Sequence, residues 1–194
     1  MMRQRVAWWT LALVLLAGGP ARADDKEDPF APYVKAGMPG PQHKALEPLI
    51  GEWTYTAKFW IKPGAEPLML SGRATRKMIL GGRFLRDEIQ NEKPAADFKG
   101  IGLTGYDNLR KKYTAAWVDS MSSGIMTSTG TASKDGKVFT FVGENIDPAD
   151  GKTYKNRDVI RILGKDKHVT ESYKGVGGKE VKVMEITYVR KKSK

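Results

Sequence analysis

Gly51-Glu52-Trp53-Thr54-Tyr55-Thr56-Ala57-Lys58-Phe59 changes character with a period of two. Trp53, Tyr55, Ala57 and Phe59 fall on one face. Glu52, Thr54, Thr56 and Lys58 fall on the other. A strand sends successive side chains to opposite faces, so the pattern predicts one side on a core and one on water. Pro63-Gly64 ends the run, because proline has no N–H for the ladder and glycine permits the turn. A counterpart lies at the far end of the chain, Ile186-Thr187-Tyr188-Val189-Arg190. Met184, Ile186, Tyr188 and Arg190 share a face there. Pairing the first strand with the last closes a barrel and removes both sheet edges. In that closure Arg190 is expected over the indole of Trp53, a cation–π contact of about 1 kcal/mol.

Between the two ends, strand patterns and turn signals alternate, with little helical periodicity. Leu68 to Ile79 reads as a long strand, bent at Gly72 and Ala74. Gly81-Gly82 turns the chain into Phe84 to Gln90, and Pro94-Ala95-Ala96 is a loop. Gly100 to Tyr106, Lys112 to Ser120 and Ile125 to Ala132 follow as strands. Asp135-Gly136 is a hairpin signal. Val138 to Ile146, Tyr154 to Leu163, His168 to Tyr173 and Glu180 to Arg190 complete the series. The result is about ten strands at spacings of roughly 10–14 residues, which predicts an all-β chain. The matched ends favour an antiparallel up-and-down β-barrel over a sandwich, and a barrel of this size can enclose a small ligand. Pro41 to Ile50 reads as one or two helical turns with proline at the first position. Leu46, Leu49 and Ile50 are expected to plug one barrel mouth.

The chain has 194 residues, enough for one domain with a sizeable core. It has no cysteine, which excludes disulfides, thiolate zinc sites, a catalytic thiol and lipidation at an N-terminal cysteine. The net charge is +11. Its cations are spread along strands, as Arg73, Arg76 and Lys77, then Arg157 and Arg161, then Lys179 and Lys182. That spread reads as a solvated basic surface, and nucleic acid is not expected as a partner. Met1 to Arg5 is short and basic, Val6 to Gly19 is apolar, and Ala21-Arg22-Ala23 is a small-x-small cleavage site. Together they read as a secretory leader, too short for a membrane span. Cleavage after Ala23 removes Arg3, Arg5 and Arg22 from the 33 basic residues and none of the 22 acidic ones, so +11 becomes +8. The expected organisation is a leader over 1–23, a flexible proline- and glycine-rich segment over 24–40, and a barrel over 41–194. The mature protein is expected to be periplasmic or secreted, without membrane insertion.

Gly51-Glu52-Trp53, with Arg190 on the last strand, resembles the calycin superfamily, which includes lipocalins and fatty-acid-binding proteins. More closely, the chain is similar to a bacterial family of secreted or cytosolic proteins catalogued as a domain of unknown function with a lipocalin-like barrel. The matching stretches are His43 to Trp53, Ile79-Leu80-Gly81-Gly82-Arg83-Phe84-Leu85, Gly105-Tyr106-Asp107-Asn108, Tyr113 to Ser120 and Met184 to Arg190. They cover about Gly40 to Arg190. The resemblance implies a barrel and no established activity.

Most strings that suggest chemistry fail on mechanism. Gly100-Ile101-Gly102-Leu103-Thr104-Gly105 matches the dinucleotide fingerprint, but that site needs a helix starting there, and Tyr106-Asp107-Asn108 is a turn. Glycines in a curved strand explain the run better. Gly151-Lys152-Thr153 mimics the end of a phosphate loop, but Ile146 stands where its first glycine is required. His43 and His168 are the only histidines. A three-histidine zinc site is therefore impossible, and neither a His-Glu-x-x-His string nor a Gly-x-Ser-x-Gly elbow occurs. One axial histidine is enough for haem, and nitrobindin-like relatives of the calycins bind it, so a haem-binding barrel is one alternative. His168 shares its phase with Thr170 and Ser172, which places it toward solvent beside a turn. His43 sits near the plug, where a structural hydrogen bond is expected. No metal and no cofactor is expected.

Charges in barrel strands carry more information. Asp119 is in phase with Tyr113 and Trp117, which read as inward. Phe84 to Gln90 groups Arg86 and Glu88 with Phe84, but Asp87 with Leu85 and Ile89. Tyr154, Asn156, Asp158 and Ile160 share one face; Arg157, Val159 and Arg161 share the other. A buried charge costs several kcal/mol unless it is paired. Either these charges pair inside or the interior is a wet cavity, and both suit a polar or amphipathic small molecule. Trp53, Tyr55, Trp117, Tyr154, Tyr173 and Tyr188 are the aromatic candidates for its lining. The expected function is an exported, non-enzymatic protein that binds a small, partly apolar ligand through Trp53, Tyr55, Arg86, Trp117, Asp119 and Arg190. The alternatives are a structural or protein-interaction barrel with a filled core, the haem barrel, and an enzyme using a polar cluster around Asp119.

Overall fold

The computed structural model describes residues 28–62, 64–92 and 97–192. The leader over 1–23, Pro63 and the Pro94-Ala95-Ala96 loop lie outside the described residues. The strands are β1 (Gly51–Phe59), β2 (Leu68–Ile79), β3 (Phe84–Asn91), β4 (Lys99–Asp107) and β5 (Lys112–Asp119), then β6 (Met126–Ala132), β7 (Val138–Ile146), β8 (Thr153–Gly164), β9 (Lys167–Val176) and β10 (Lys179–Arg190). Each pairs antiparallel with its neighbours in sequence, and β1 pairs with β10, so the ten strands form a closed barrel. The bounds follow the sequence pattern closely. The widest difference is at the end of β9, which runs to Val176 rather than Tyr173.

β1 buries Trp53, Tyr55 and Ala57 and exposes Glu52, Thr54, Thr56 and Lys58, as its alternation predicts. Trp53 stands opposite Arg190 and Tyr55 opposite Tyr188. The Arg190 guanidinium lies 4.1 Å from the Trp53 ring centroid. Its nitrogens also donate to the carbonyls of Ile50 at 2.5 Å, Pro48 at 2.9 Å and Lys165 at 3.0 Å, and Nε lies 3.2 Å from Asp166. The indole Nε1 of Trp53 donates to the Leu49 carbonyl at 3.0 Å. Arg190 and Trp53 therefore tie the plug to the seam where the barrel closes. Gly51 makes room for this. Its φ is +130°, and a Cβ there would overlap Arg190 Nη1. Gly51→Ala is expected to cost about 1–3 kcal/mol in urea denaturation; a loss under about 0.5 kcal/mol would show that Arg190 can move aside freely.

The plug consists of α2 (Pro41–Lys44) and a single 3-10 turn, Glu47–Leu49. Leu46 and Leu49 drop into one barrel end against Leu85, Tyr113, Phe139 and Phe141. The segment expected to be flexible contains instead a helix, α1 (Ala31–Gly37). Asn108, in the turn after β4, donates to the carbonyls of Ala36 and Met38 at 2.8 Å and holds the end of that helix.

The two barrel ends differ physically. Toward the plug, the inward side chains Leu85, Tyr113, Phe139, Phe141 and His168 are buried. Toward the other end, the inward side chains Asn91, Trp117, Met126, Ser128, Asn156 and Ser172 are only half-buried. One end is sealed by the plug; the other is a half-exposed mouth.

Candidate functional site

The floor of the lumen is a buried polar cluster. Arg76, on β2, is only 6 % exposed. Its Nε forms an ion pair at 2.9 Å with Asp87 on β3, directly opposite in the register. Its Nη1 contacts Nε2 of His168 on β9. Its guanidinium lies 4.4 Å from the centroid of the Tyr188 ring on β10. The imidazole of His168 stacks on Tyr188 with centroids 4.4 Å apart and planes 10° apart, and Trp53 meets it edge-on at 4.4 Å. Tyr55 packs beside Tyr188 at 5.7 Å and its hydroxyl bonds to Asn91 Oδ1 at 2.5 Å.

The electrostatics follow from burial. Arg76 can only donate, so Nε2 of His168 accepts from it, and the single proton of the neutral ring sits on Nδ1. Burial, with the positive charges of Arg76 and Arg190 nearby, pushes the His168 pKa down to about 2. His168 is therefore neutral at any physiological pH. Burial would lower the pKa of Arg76, but Asp87 and Tyr188 outweigh it and raise it above its ordinary value. Burial raises Tyr188 and pushes Tyr55 up to about 12, with Glu92 adding to the latter. Two buried polar atoms of the cluster, Asp87 Oδ1 and His168 Nδ1, have no hydrogen-bond partner among the described residues. One is an acceptor and the other a donor, which is a polar pair suited to a water molecule or a ligand group.

Above this floor the mouth mixes apolar and polar surface. Trp117 lies across β4, over Gly100 and Gly102. A Cβ at Gly100 would overlap its Cζ2, and one at Gly102 would come within 3.3 Å of its Cε3. The first two glycines of the dinucleotide-like string therefore make space for an indole, and the third, Gly105, makes space for the Phe84 ring. Trp117 Nε1 donates to Asp119 Oδ2 at 2.8 Å, and Asp119 Oδ1 accepts from the Met121 N–H at 2.9 Å. On the opposite wall, Asn145 donates to Asn156 at 3.0 Å and Asn156 to Asp158 at 2.9 Å. Burial holds the Asp158 carboxyl above the ordinary carboxylate range, against the pull of hydrogen bonds from Ser172 and Asn156. Lys174 pairs with Asp147 and lies 4.5 Å from the Tyr154 ring centroid at the rim.

The residues expected to bind ligand do not form one constellation. Trp53, Tyr55 and Trp117 face inward. Asp119 also faces inward but sits at the last position of β5, on the rim, tied to Trp117. Arg190 is spent on the plug and the seam. Arg86 points to the outer wall, where it pairs with Glu88 at 2.6 Å; the inward charge of β3 is Asp87, in phase with Leu85 and Ile89. Tyr173 is also on the outer wall, under Arg157 at 4.1 Å. Arg76 is inside and does not belong to a solvated basic surface. His168 is not at the solvent; it is 1 % exposed. Its phase with Thr170 and Ser172 is as expected, but that polar face looks into the barrel. The signal that could have found it was Ile160 and Ile162 on β8, which stand opposite Thr170 and His168.

Two grooves lie outside the lumen. One of about 560 Å³ runs over β7 to β10, lined by Val142, Glu144, Lys155, Arg157, Lys179 and Glu180. The other, about 360 Å³, is lined largely by outward residues such as Arg73, Thr75, Glu88, Gln90 and Lys99. Among the described residues, no group of three or more His, Asp or Glu side chains is placed to hold a metal ion.

No curated protein matches the chain. A solved structure that it resembles is Rv2717c from M. tuberculosis, at 19 % identity and a TM-score of 0.59, covering 79 % of this chain and 99 % of that one. At that identity the likeness supports the barrel fold alone. A family model described as "Protein of unknown function (DUF1579)" matches residues 38–190, from Met38 at the end of α1 to the last residue of β10, and the chain belongs to that family.

Proposed function

We propose that this barrel is an exported carrier that holds a small, uncharged, partly apolar molecule in the mouth half of its lumen, without catalysis. The half-exposure of inward Trp117, Met126, Ser128, Asn156 and Ser172 carries this reading, because a filled core would bury them as it buries Tyr113 and Phe139. Mixed apolar and amide or hydroxyl surface is the usual lining of a small-molecule site. The lumen favours a neutral ligand, because its inward cations are matched, Arg76 by Asp87 and Lys174 by Asp147, and its inward carboxylates Asp119 and Asp158 are engaged by hydrogen bonds from Trp117 and Asn156. Export rests on the basic, apolar and small-x-small order of the first 23 residues. No helix among the described residues is long and apolar enough to cross a membrane.

Native mass spectrometry of the protein, produced in a cell able to export it, tests both parts. A non-covalent adduct that disappears on denaturation is the expected result. A bare chain would favour a filled barrel that works through its surface. Trp117→Ala should weaken binding of the recovered molecule about tenfold or more, since a large aromatic contact is worth roughly 1.4 kcal/mol. Unchanged affinity in a folded variant would move the site away from the mouth. The same spectrum reads the start of the chain: Asp24 is expected, and retention of Met1 would overturn export.

A further inference from the structure

We infer that the plugged end of the barrel docks on the surface of an anionic lipid bilayer. α1 presents Tyr33 and Val34, with Phe30 just before it, and all three are exposed, Tyr33 by 76 %. Residues 30, 33 and 34 lie on one helical face. Met38 follows it, and Leu80 and Leu109 stand exposed in the turns after β2 and β4. These pieces are neighbours. Asn108 holds the end of α1, a Cβ on Gly82 would touch Pro39, and Arg83 Nη1 donates to the Leu80 carbonyl at 3.0 Å. The result is one apolar face on the closed end.

The occupant is indicated by charge. Lys35, Lys44, Lys111, Lys112 and Lys137 are exposed at the same end. Among the described carboxylates of this end, Asp107 pairs with Arg110 at 2.7 Å, Asp166 with Arg190 at 3.2 Å and Glu52 with Lys191 at 3.0 Å, and the five lysines outnumber the remaining Asp28, Glu47 and Asp135. At the mouth, by contrast, Glu66, Glu92, Asp97, Glu144, Asp147 and Asp150 offset the lysines. An apolar tip ringed by cations matches the headgroup layer of an anionic membrane, where the apolar groups enter the acyl boundary and the lysines meet phosphates. A bilayer contact at this end leaves the half-exposed mouth facing away from the membrane.

Vesicle co-sedimentation tests this. Every strand pairing of the barrel lies within Gly51–Arg190. The chain from Asp24 can therefore be used, so that the apolar run Val6 to Gly19 cannot itself insert. It should sediment with phosphatidylglycerol-containing vesicles and not with pure phosphatidylcholine, and the bound fraction should fall at high salt. Phe30→Ser with Val34→Ser, and separately Lys35→Glu with Lys112→Glu, should each reduce binding at least tenfold with the thermal midpoint kept. Lys155→Glu with Lys179→Glu, on the outer wall away from this end, should retain more than half of it. Four results would overturn the proposal: no binding to anionic vesicles, equal loss from the Lys155 and Lys179 pair, undiminished binding by the serine variant, or light scattering showing a dimer that the serine variant dissolves. The last would make the face a contact between two copies.

Discussion

Asp87→Ala should lower the unfolding free energy by about 3–5 kcal/mol, because it strands a guanidinium inside the barrel. Arg76 is reached by little water, and Asp87 supplies its only carboxylate partner among the described residues. His168 and Tyr188 remain beside it after the substitution, but both are neutral and neither compensates a full charge. The double replacement Arg76→Met with Asp87→Leu removes both charges and keeps apolar volume. It should return most of the loss, since a buried pair is often no better than a packed apolar one. Urea midpoints at pH 7 for the three variants check this. A loss under about 1 kcal/mol for Asp87→Ala would mean that water enters the floor and that Arg76 is not dry. A double variant as unstable as the single one would mean that the pair is needed for packing of Trp53 and Tyr188 rather than for charge balance.

The second large effect is acid lability well above the carboxylate range. His168 has a folded pKa of about 2 against an ordinary value of 6.5. Between those values the unfolded chain binds a proton that the folded one does not. Stability therefore rises with pH across this window and falls as pH drops below about 6.5. The slope is about 1.4 kcal/mol per pH unit, so about 2 kcal/mol is lost at pH 5. His43 acts in the same direction. Burial lowers it too, helped by Arg83 and opposed by its backbone hydrogen bond to Tyr106, and its Nδ1 is already engaged by the Gly40 N–H at 3.0 Å. The depressed carboxylates, such as Asp107, Asp135 and Asp147, lose their contribution only at lower pH, as they protonate through their folded values. Urea unfolding at pH 7.5, 6.5, 5.5 and 5.0 separates the two ranges. His168→Gln should flatten much of the slope above pH 5. A wild-type stability unchanged from pH 7 to pH 5 would show that the imidazole charges freely in the folded protein.

Strand order, barrel closure and the plug were legible in the residues because each is a local or end-to-end pattern. The alternation of Trp53, Tyr55 and Ala57 selects a face without help from any neighbour. Arg190 and Trp53 mark the two strands that must meet. Pro41, Leu46 and Leu49 announce a short apolar turn. α1 was missed because Ala31 to Gly37 carries proline and glycine and buries none of its residues, so no core-facing stripe betrays it.

The lumen was a different matter. On β3, β8 and β9 neither face is purely apolar, and a charge or a polar group stands on both. Periodicity groups Asp87 with Leu85, and His168 with Thr170, but it does not say which group looks inward. Cross-strand register says it: Asp87 stands opposite Arg76, and His168 opposite Tyr188. The sequence by itself therefore determined a closed ten-stranded barrel with a plugged end. Only the tertiary structure decided that Arg76, Asp87 and His168 lie at its floor, that Arg86 and Tyr173 lie outside, and that Arg190 belongs to the seam. The reason is that a buried charge is stabilised by partners far away in the chain, and those partners meet only after the strands have paired.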